Sequence, residues 1–182
     1  AARIGRGRLH LDPEILGHDG GAVDQVEPLP AQVLQGLDQR LSEVDGSGAC
    51  YLNMPAGGSA RPASHETVEK RMHVVRQEGP HVFKYAVRKF AEVSRHLLER
   101  NGFTPEQMDL FVPHQANLRI IDATRDRLGL PDAKVVKNIH EYGNTTAATI
   151  PLALGTALDQ ERLRRGDLVL LASVGAGFTV GA

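Results

Sequence analysis

The sequence has little with which to build a disulfide, a metal cage or a membrane anchor. A single cysteine, Cys50, among 182 residues excludes an internal disulfide framework and a CxxC-type zinc site, and it fits a reducing compartment. None of the eight histidines stands in HxH or HxxxH spacing, so His10, His18, His65, His73, His81, His96 and His140 are expected at the surface or in loops. No run approaches the ~20 apolar residues that a spanning helix needs. The start, AARIGRGRLHLDPEI, carries arginines but lacks the apolar centre of a secretory signal. Charge of one sign is missing too: 21 Lys+Arg against 22 Asp+Glu leave a net charge of −1. That excludes the bulk basic footprint of a nucleic-acid binder, while a local basic patch facing an acidic partner stays open. The expected setting is cytoplasmic, away from membranes.

What remains is an ordinary globular composition, 41% hydrophobic and 24% charged, in a chain long enough for one domain or for half of a larger one. It begins without Met and stops just after a Gly-rich turn, as expected of a piece of a longer protein. Residues 1–40 mix Gly and Pro breakers with short apolar bursts of no sustained period, and little structure is expected there. From Leu41 the pattern sharpens. ACYLNM reads as a strand, and Thr67 to Val75 as a short helix. HVFKYAVRKFAEVSRHLLERNG reads as a long amphipathic helix stopped by Asn101-Gly102. TPEQ has the form of a capping box with Pro105 at the first helical position. A strand LFV follows, then a helix from Asn117 to Leu128 ending at Gly129. KVVKNI reads as a strand, Gly143-Asn144 as a turn, Ala147 to Arg162 as an apolar helix and LVLLASV as a strand apolar on both faces. Strands alternating with helices, and a strand covered on two sides, predict an α/β fold, a layered α-β-α half-domain. No repeat of solenoid period is present.

Three strand ends deliver polar or small residues to turns: FVPHQAN supplies His114 and Asn117, NIHEYGNTT supplies His140 and Asn144, and SVGAGFTVG supplies a small-residue backbone loop. In α/β folds ligands bind at strand carboxyl ends, so the coincidence of three is more telling than any one of them. A helix N-terminus close to His114 would disfavour imidazolium and keep the ring a neutral donor. Asn144 can donate from its amide without changing charge. Together they suit stabilisation of an enolate, with donors of this kind worth roughly 10²–10³ in rate each. Taken singly, each reads better as structure: a histidine after a strand more often packs or caps, and Gly-Asn before Thr-Thr is a routine turn and cap. The loop from Gly175 to Gly181 has no helix after it, so it is read as a tight turn aiming N–H groups rather than as a dinucleotide cradle.

VPHQANLRI, GNTTAATIP and GAGFTVG, in that order and spacing, resemble the C-terminal half of 3-oxoacyl-[acyl-carrier-protein] synthase III, the initiating condensing enzymes of type II fatty acid synthesis. EGPHVFKYAV resembles the family's MxGxxVFKxAV stretch, with Gln77 where Met is common. The resemblance covers about 41–182, which it implies is the family's C-terminal domain. Residues 1–40 match poorly. It implies a thiolase-like fold with a mixed sheet, catalytic roles for His114 and Asn144, a backbone oxyanion-hole position at Ala176 where Gly is usual, Phe83 on the pantetheine tunnel, and Lys84 and Arg119 in the basic patch that meets acyl carrier protein. It also implies acyl-CoA and malonyl-acyl-carrier-protein substrates, no resident cofactor, and a homodimer for the full-length protein. The family's nucleophilic cysteine belongs to the N-terminal half. Cys50 matches no nucleophile motif, and its apolar neighbours predict a buried free thiol.

Overall fold

The computed structural model describes residues 40–182. Its elements in chain order are β1 (Ser42–Val44), β2 (Leu52–Asn53), α1 (His65–Glu69), β3 (Arg76–Gln77), α2 (Gly79–Arg100), β4 (Leu110–Pro113), α3 (Leu118–Leu128), α4 (Ile139–Tyr142), α5 (Thr149–Asp159), β5 (Val169–Gly175) and β6 (Thr179–Gly181). The main sheet runs β1-β6-β5-β4. β4 and β5 pair in parallel, while β5–β6 and β6–β1 pair antiparallel, so the sheet is mixed. β2 and β3 form a separate two-stranded ribbon.

Alternation along β4 and β5 builds the layers. Phe111, Leu170 and Ala172 point to one face, where they pack with Ala86, Phe90 and Leu97 of α2 and Ile121 and Leu128 of α3. Leu110 and Val112, with Val169 and Leu171, point to the other face, against Ala153 and Ala157 of α5. A sheet covered on both faces needs strands without a polar side, which is why LFV is apolar throughout and LVLLASV carries Ser173 as its one polar residue. The result is the expected α-β-α layering.

Local chemistry sets the element ends. α2 runs 22 residues with Pro80 in its first turn, where a missing N–H is harmless. Asn117 caps α3 by accepting the Arg119 N–H at 2.9 Å, and Gly129, at φ +72°, ends it in a left-handed turn. Lys89 on α2 reaches Glu43 of β1 at 2.7 Å and fastens the edge strand to the helix; this hydrogen bond, with a second to Glu92, raises the Lys89 pKa. Among the described residues no helix is long and apolar enough to cross a membrane.

Three segments depart from the sequence expectation. ACYLNM is extended only at Leu52–Asn53. Asp45 caps a 3-10 turn over Gly46–Gly48, and the Asn53 side chain donates to the Ala49 and Cys50 carbonyls. Those bonds coil the segment, so Cys50 is exposed rather than buried. The helix read over Thr67–Val75 lies earlier, at His65–Glu69, because Ser64 and Thr67 form a capping box there. KVVKNI meets the sheet at a single bridge, Val135 to Phe111, and its following backbone groups bond a side chain instead. The thirty-nine residues before Arg40, including His10 and His18, lie outside the described residues.

Candidate active site

His114 directly follows β4 and is set by that strand's register. Pro113 pairs with Ala172, and the His114 N–H donates to the Ala172 carbonyl at 2.8 Å. The next residue turns the chain out of the sheet. Gln115 is buried; its amide nitrogen donates to the Pro113 carbonyl at 2.8 Å and the Val136 carbonyl at 3.1 Å, and its oxygen accepts the Asn138 N–H at 3.1 Å. The Val136 carbonyl and the Asn138 N–H are backbone groups that KVVKNI would otherwise have offered to β4. Asn138 in turn donates to Thr156 of α5 at 3.0 Å. A buried polar chain thus ties the His114 turn to the segment leading to Asn144, and satisfying each group is what makes such a network tolerable in a core.

Asn144 is exposed in the turn between α4 and α5. Its side-chain oxygen accepts the Thr146 N–H at 3.0 Å, which fixes the amide so that its NH₂ end is the free one. Thr146 has φ +53°, a conformation that costs a β-branched residue of order 1–3 kcal/mol and is retained where surrounding structure over-determines it. No hydrogen bond joins the His114 and Asn144 side chains among the described residues. What links them is Thr149, the first residue of α5: its Oγ1 lies 2.5 Å from His114 Nδ1 and 3.0 Å from the Thr146 carbonyl. Burial holds the His114 pKa below its ordinary 6.5. The neutral ring expected from sequence is therefore favoured by desolvation, with no need of a helix terminus.

The remaining predicted residues form a second group. Phe83 on α2 stacks beneath the Arg119 guanidinium of α3, 5.4 Å from ring centroid to carbon, an arrangement worth about 0.5–1 kcal/mol at an exposed site. Lys84 is its exposed neighbour. Phe83 and Lys84 line an open cavity of about 560 Å³ with Tyr51, His81, Arg88 and Phe178. Ala176 is exposed in the β5–β6 turn. That turn is fastened by reciprocal bonds between Asp45 and Phe178, N–H to carbonyl, at 2.7 and 2.6 Å. Gly48 is required beneath it, since a Cβ there would overlap the Phe178 ring. Gly177 is required within it, at φ +137°, where a Cβ would come within 2.7 Å of Thr179 Oγ1. His140 lies exposed within α4, at a short helix rather than a strand end.

Sequence reading overlooked Gln115 and Thr149. Gln115 sits inside the quoted PHQAN, where a buried amide between an apolar strand and a helix cap was the available signal. Thr149 offered only a third threonine after Asn144.

Residues 98–182 match a family model described as 3-oxoacyl-[acyl-carrier-protein] synthase III, C terminal; His114, Arg119, Asn144 and Ala176 fall inside it. The chain is 63% identical over 142 residues to the beta-ketoacyl-[acyl-carrier-protein] synthase III of Solibacter usitatus, covering 78% of this chain and 43% of that protein. To the synthase III of Koribacter versatilis it is 49% identical over 178 residues, covering 98% of this chain and 49% of the relative. The chain thus spans about half the length of the curated relatives it matches. Among solved structures it resembles the 3-oxoacyl-[acyl-carrier-protein] synthase III of Aquifex aeolicus, at 38% identity and TM-score 0.67 over 79% of this chain and 42% of that one. The synthase III of Thermus thermophilus gives 43% identity and TM-score 0.68 over 79% and 43%. The fold is that of these enzymes. In sequence and in fold the chain corresponds to the C-terminal half of the 3-oxoacyl-[acyl-carrier-protein] synthases III.

Proposed function

We propose that His114 and Asn144 are the decarboxylating half of an initiating condensing enzyme, acting on malonyl-acyl-carrier protein. The carboxylate of the malonyl group leaves as CO₂, and the electron pair of the broken C–C bond moves onto the thioester as an enolate. His114 Nε2–H and Asn144 Nδ2–H donate to the enolate oxygen. The enolate carbon then attacks an acyl group delivered from acyl-CoA to a cysteine thiolate of the N-terminal half, which leaves as the new C–C bond forms. Backbone N–H groups at the Ala176 turn hold the oxyanion of that step. The observation carrying the reading is the fixed amide of Asn144, whose oxygen is occupied by the Thr146 N–H so that its NH₂ is left for substrate. The half-buried neutral imidazole tied to the same turn through Thr149 supports it.

The proposal extends to the surroundings of the site. Residues 41–182 serve as the C-terminal domain, Phe83 lines the pantetheine path, and Lys84 and Arg119 receive the acidic carrier protein, a pairing that speeds encounter more than it adds affinity. No resident cofactor takes part. The full-length protein is a homodimer in the cytoplasm, a setting that the free, exposed Cys50 thiol supports. A second reading rests on that same residue: Cys50 matches no nucleophile motif, so this chain by itself retains at most carrier-protein or coenzyme A recognition and completes no condensation.

The test is a chimera in which residues 41–182 replace the matching half of the Solibacter relative. Condensation is expected in the chimera, and His114→Ala or Asn144→Ala is expected to slow CO₂ release from malonyl-carrier protein by about 10²–10³ while cysteine acylation proceeds normally. Equal loss of both half-reactions would show the assigned role to be wrong.

A further inference from the structure

We propose that Thr149 is a positioning residue for His114, its hydroxyl donating to Nδ1 and so fixing the imidazole as the Nε2–H tautomer. The inference rests on the reading of His114 as a hydrogen-bond donor to the thioester oxygen, and adds the group that makes the donor available. A neutral imidazole carries one N–H, and only if Nδ1 is bare does Nε2 hold it. Thr149 Oγ1, 2.5 Å away, is the one hydrogen-bond partner of a His114 ring nitrogen among the described residues, and Thr149 is buried, so no water competes for the contact from its side.

The hydroxyl has a single proton and two acceptors within reach, Nδ1 and the Thr146 carbonyl at 3.0 Å. That carbonyl already accepts the Thr149 backbone N–H. Turning the hydroxyl to Nδ1 therefore leaves no carbonyl orphaned, whereas turning it away would leave Nδ1 to be protonated and Nε2 bare. In that second arrangement Nδ1–H would donate to Oγ1 and the hydroxyl to the Thr146 carbonyl, so both leave every group partnered, and it is the donor role of His114 Nε2 that selects the first. The same residue opens α5, three positions after Thr146, whose N–H orients Asn144. Thr149 thus sets the direction of one donor from the turn that sets the other.

The experiment is ¹⁵N spectroscopy of the imidazoles in the purified full chain, in solution or as a solid, with the His114 signals assigned by their loss in His114→Asn. The two nitrogen types resonate far apart, so each tautomer is read directly. Wild type is expected to show His114 with Nε2 protonated and Nδ1 bare at a pH where the ring is neutral. Thr149→Ser, which keeps the hydroxyl, is expected to retain that pattern, and Thr149→Val, which removes it without changing side-chain shape much, is expected to lose the preference. An Nδ1–H tautomer or an even mixture in wild type overturns the proposal, as does an unchanged preference in Thr149→Val with unaltered circular dichroism. Should Thr149→Val fail to fold, wild type and Thr149→Ser still decide. The donor reading itself stands or falls on CO₂ release by the His114→Ala chimera, so a fixed tautomer beside undiminished decarboxylation would sink that reading and leave the assignment to Thr149 intact.

Discussion

His114 shows what a sequence reader can and cannot see in one residue. Its place was legible because an apolar strand running into Pro-His-Gln puts the imidazole at a strand tip, and Asn144 was legible because Gly-Asn before a helix makes a turn that exposes the amide. Thr149 and Gln115 were not, because the bonds that give them meaning join residues 35 and 21 positions apart, and no local pattern encodes such a distance. The depressed His114 pKa carries a prediction. Because burial lowers it below 6.5, the unfolded chain binds more protons than the folded one between the folded value and 6.5. This contribution to stability is complete above pH 6.5 and declines as pH falls below it. Melting curves are expected to show a smaller loss on acidification below pH 6.5 in His114→Gln than in wild type, and the His114 ring signals are expected to titrate below 6.5. A midpoint at or above the ordinary value would contradict the desolvation account.

Elements with their own stop and start chemistry were read well: α2 with its Asn-Gly exit, α3 between Asn117 and Gly129, and the capping box at Thr104 to Gln107. Two of the three misread elements are those where a side chain takes the backbone's hydrogen bonds. KVVKNI has the composition of a strand, yet Gln115 occupies the Val136 carbonyl and the Asn138 N–H, so the segment leaves the sheet after the bond from the Val136 N–H to the Phe111 carbonyl. Asn53 does the same to the turn holding Cys50. The dependence of two segments on one buried amide makes Gln115→Leu informative. It would strip partners from the Pro113 and Val136 carbonyls and the Asn138 N–H, at about 1–3 kcal/mol for each group left buried and unpaired. A loss of at least ~3 kcal/mol in urea unfolding is therefore expected, with the melting transition still cooperative. A loss under about 1 kcal/mol would mean that the sheet can recapture the segment.

At the scale of the whole molecule, the layered core is closed around β4 and β5, and among the described residues five of the nine large apolar side chains left in solvent come from one stretch. Val44 is 76% exposed, Met54 52%, Val68 63%, Val74 51% and Val75 70%, all from the stretch around β1, α1 and the β2–β3 ribbon. Single exposed apolar residues need no explanation, but five from one short stretch are a different matter. Composition could not reveal this, because an exposed and a buried valine are the same letter. The expected consequence is self-association of the purified chain through this stretch. Sedimentation velocity should show the weight-average mass rising with concentration, undiminished by added salt because apolar contacts are not screened. The double substitution Val74→Ser and Val75→Ser should move the distribution toward monomer without altering circular dichroism. A wild-type chain that stays monomeric across the concentration range would show that these side chains are covered within the chain itself.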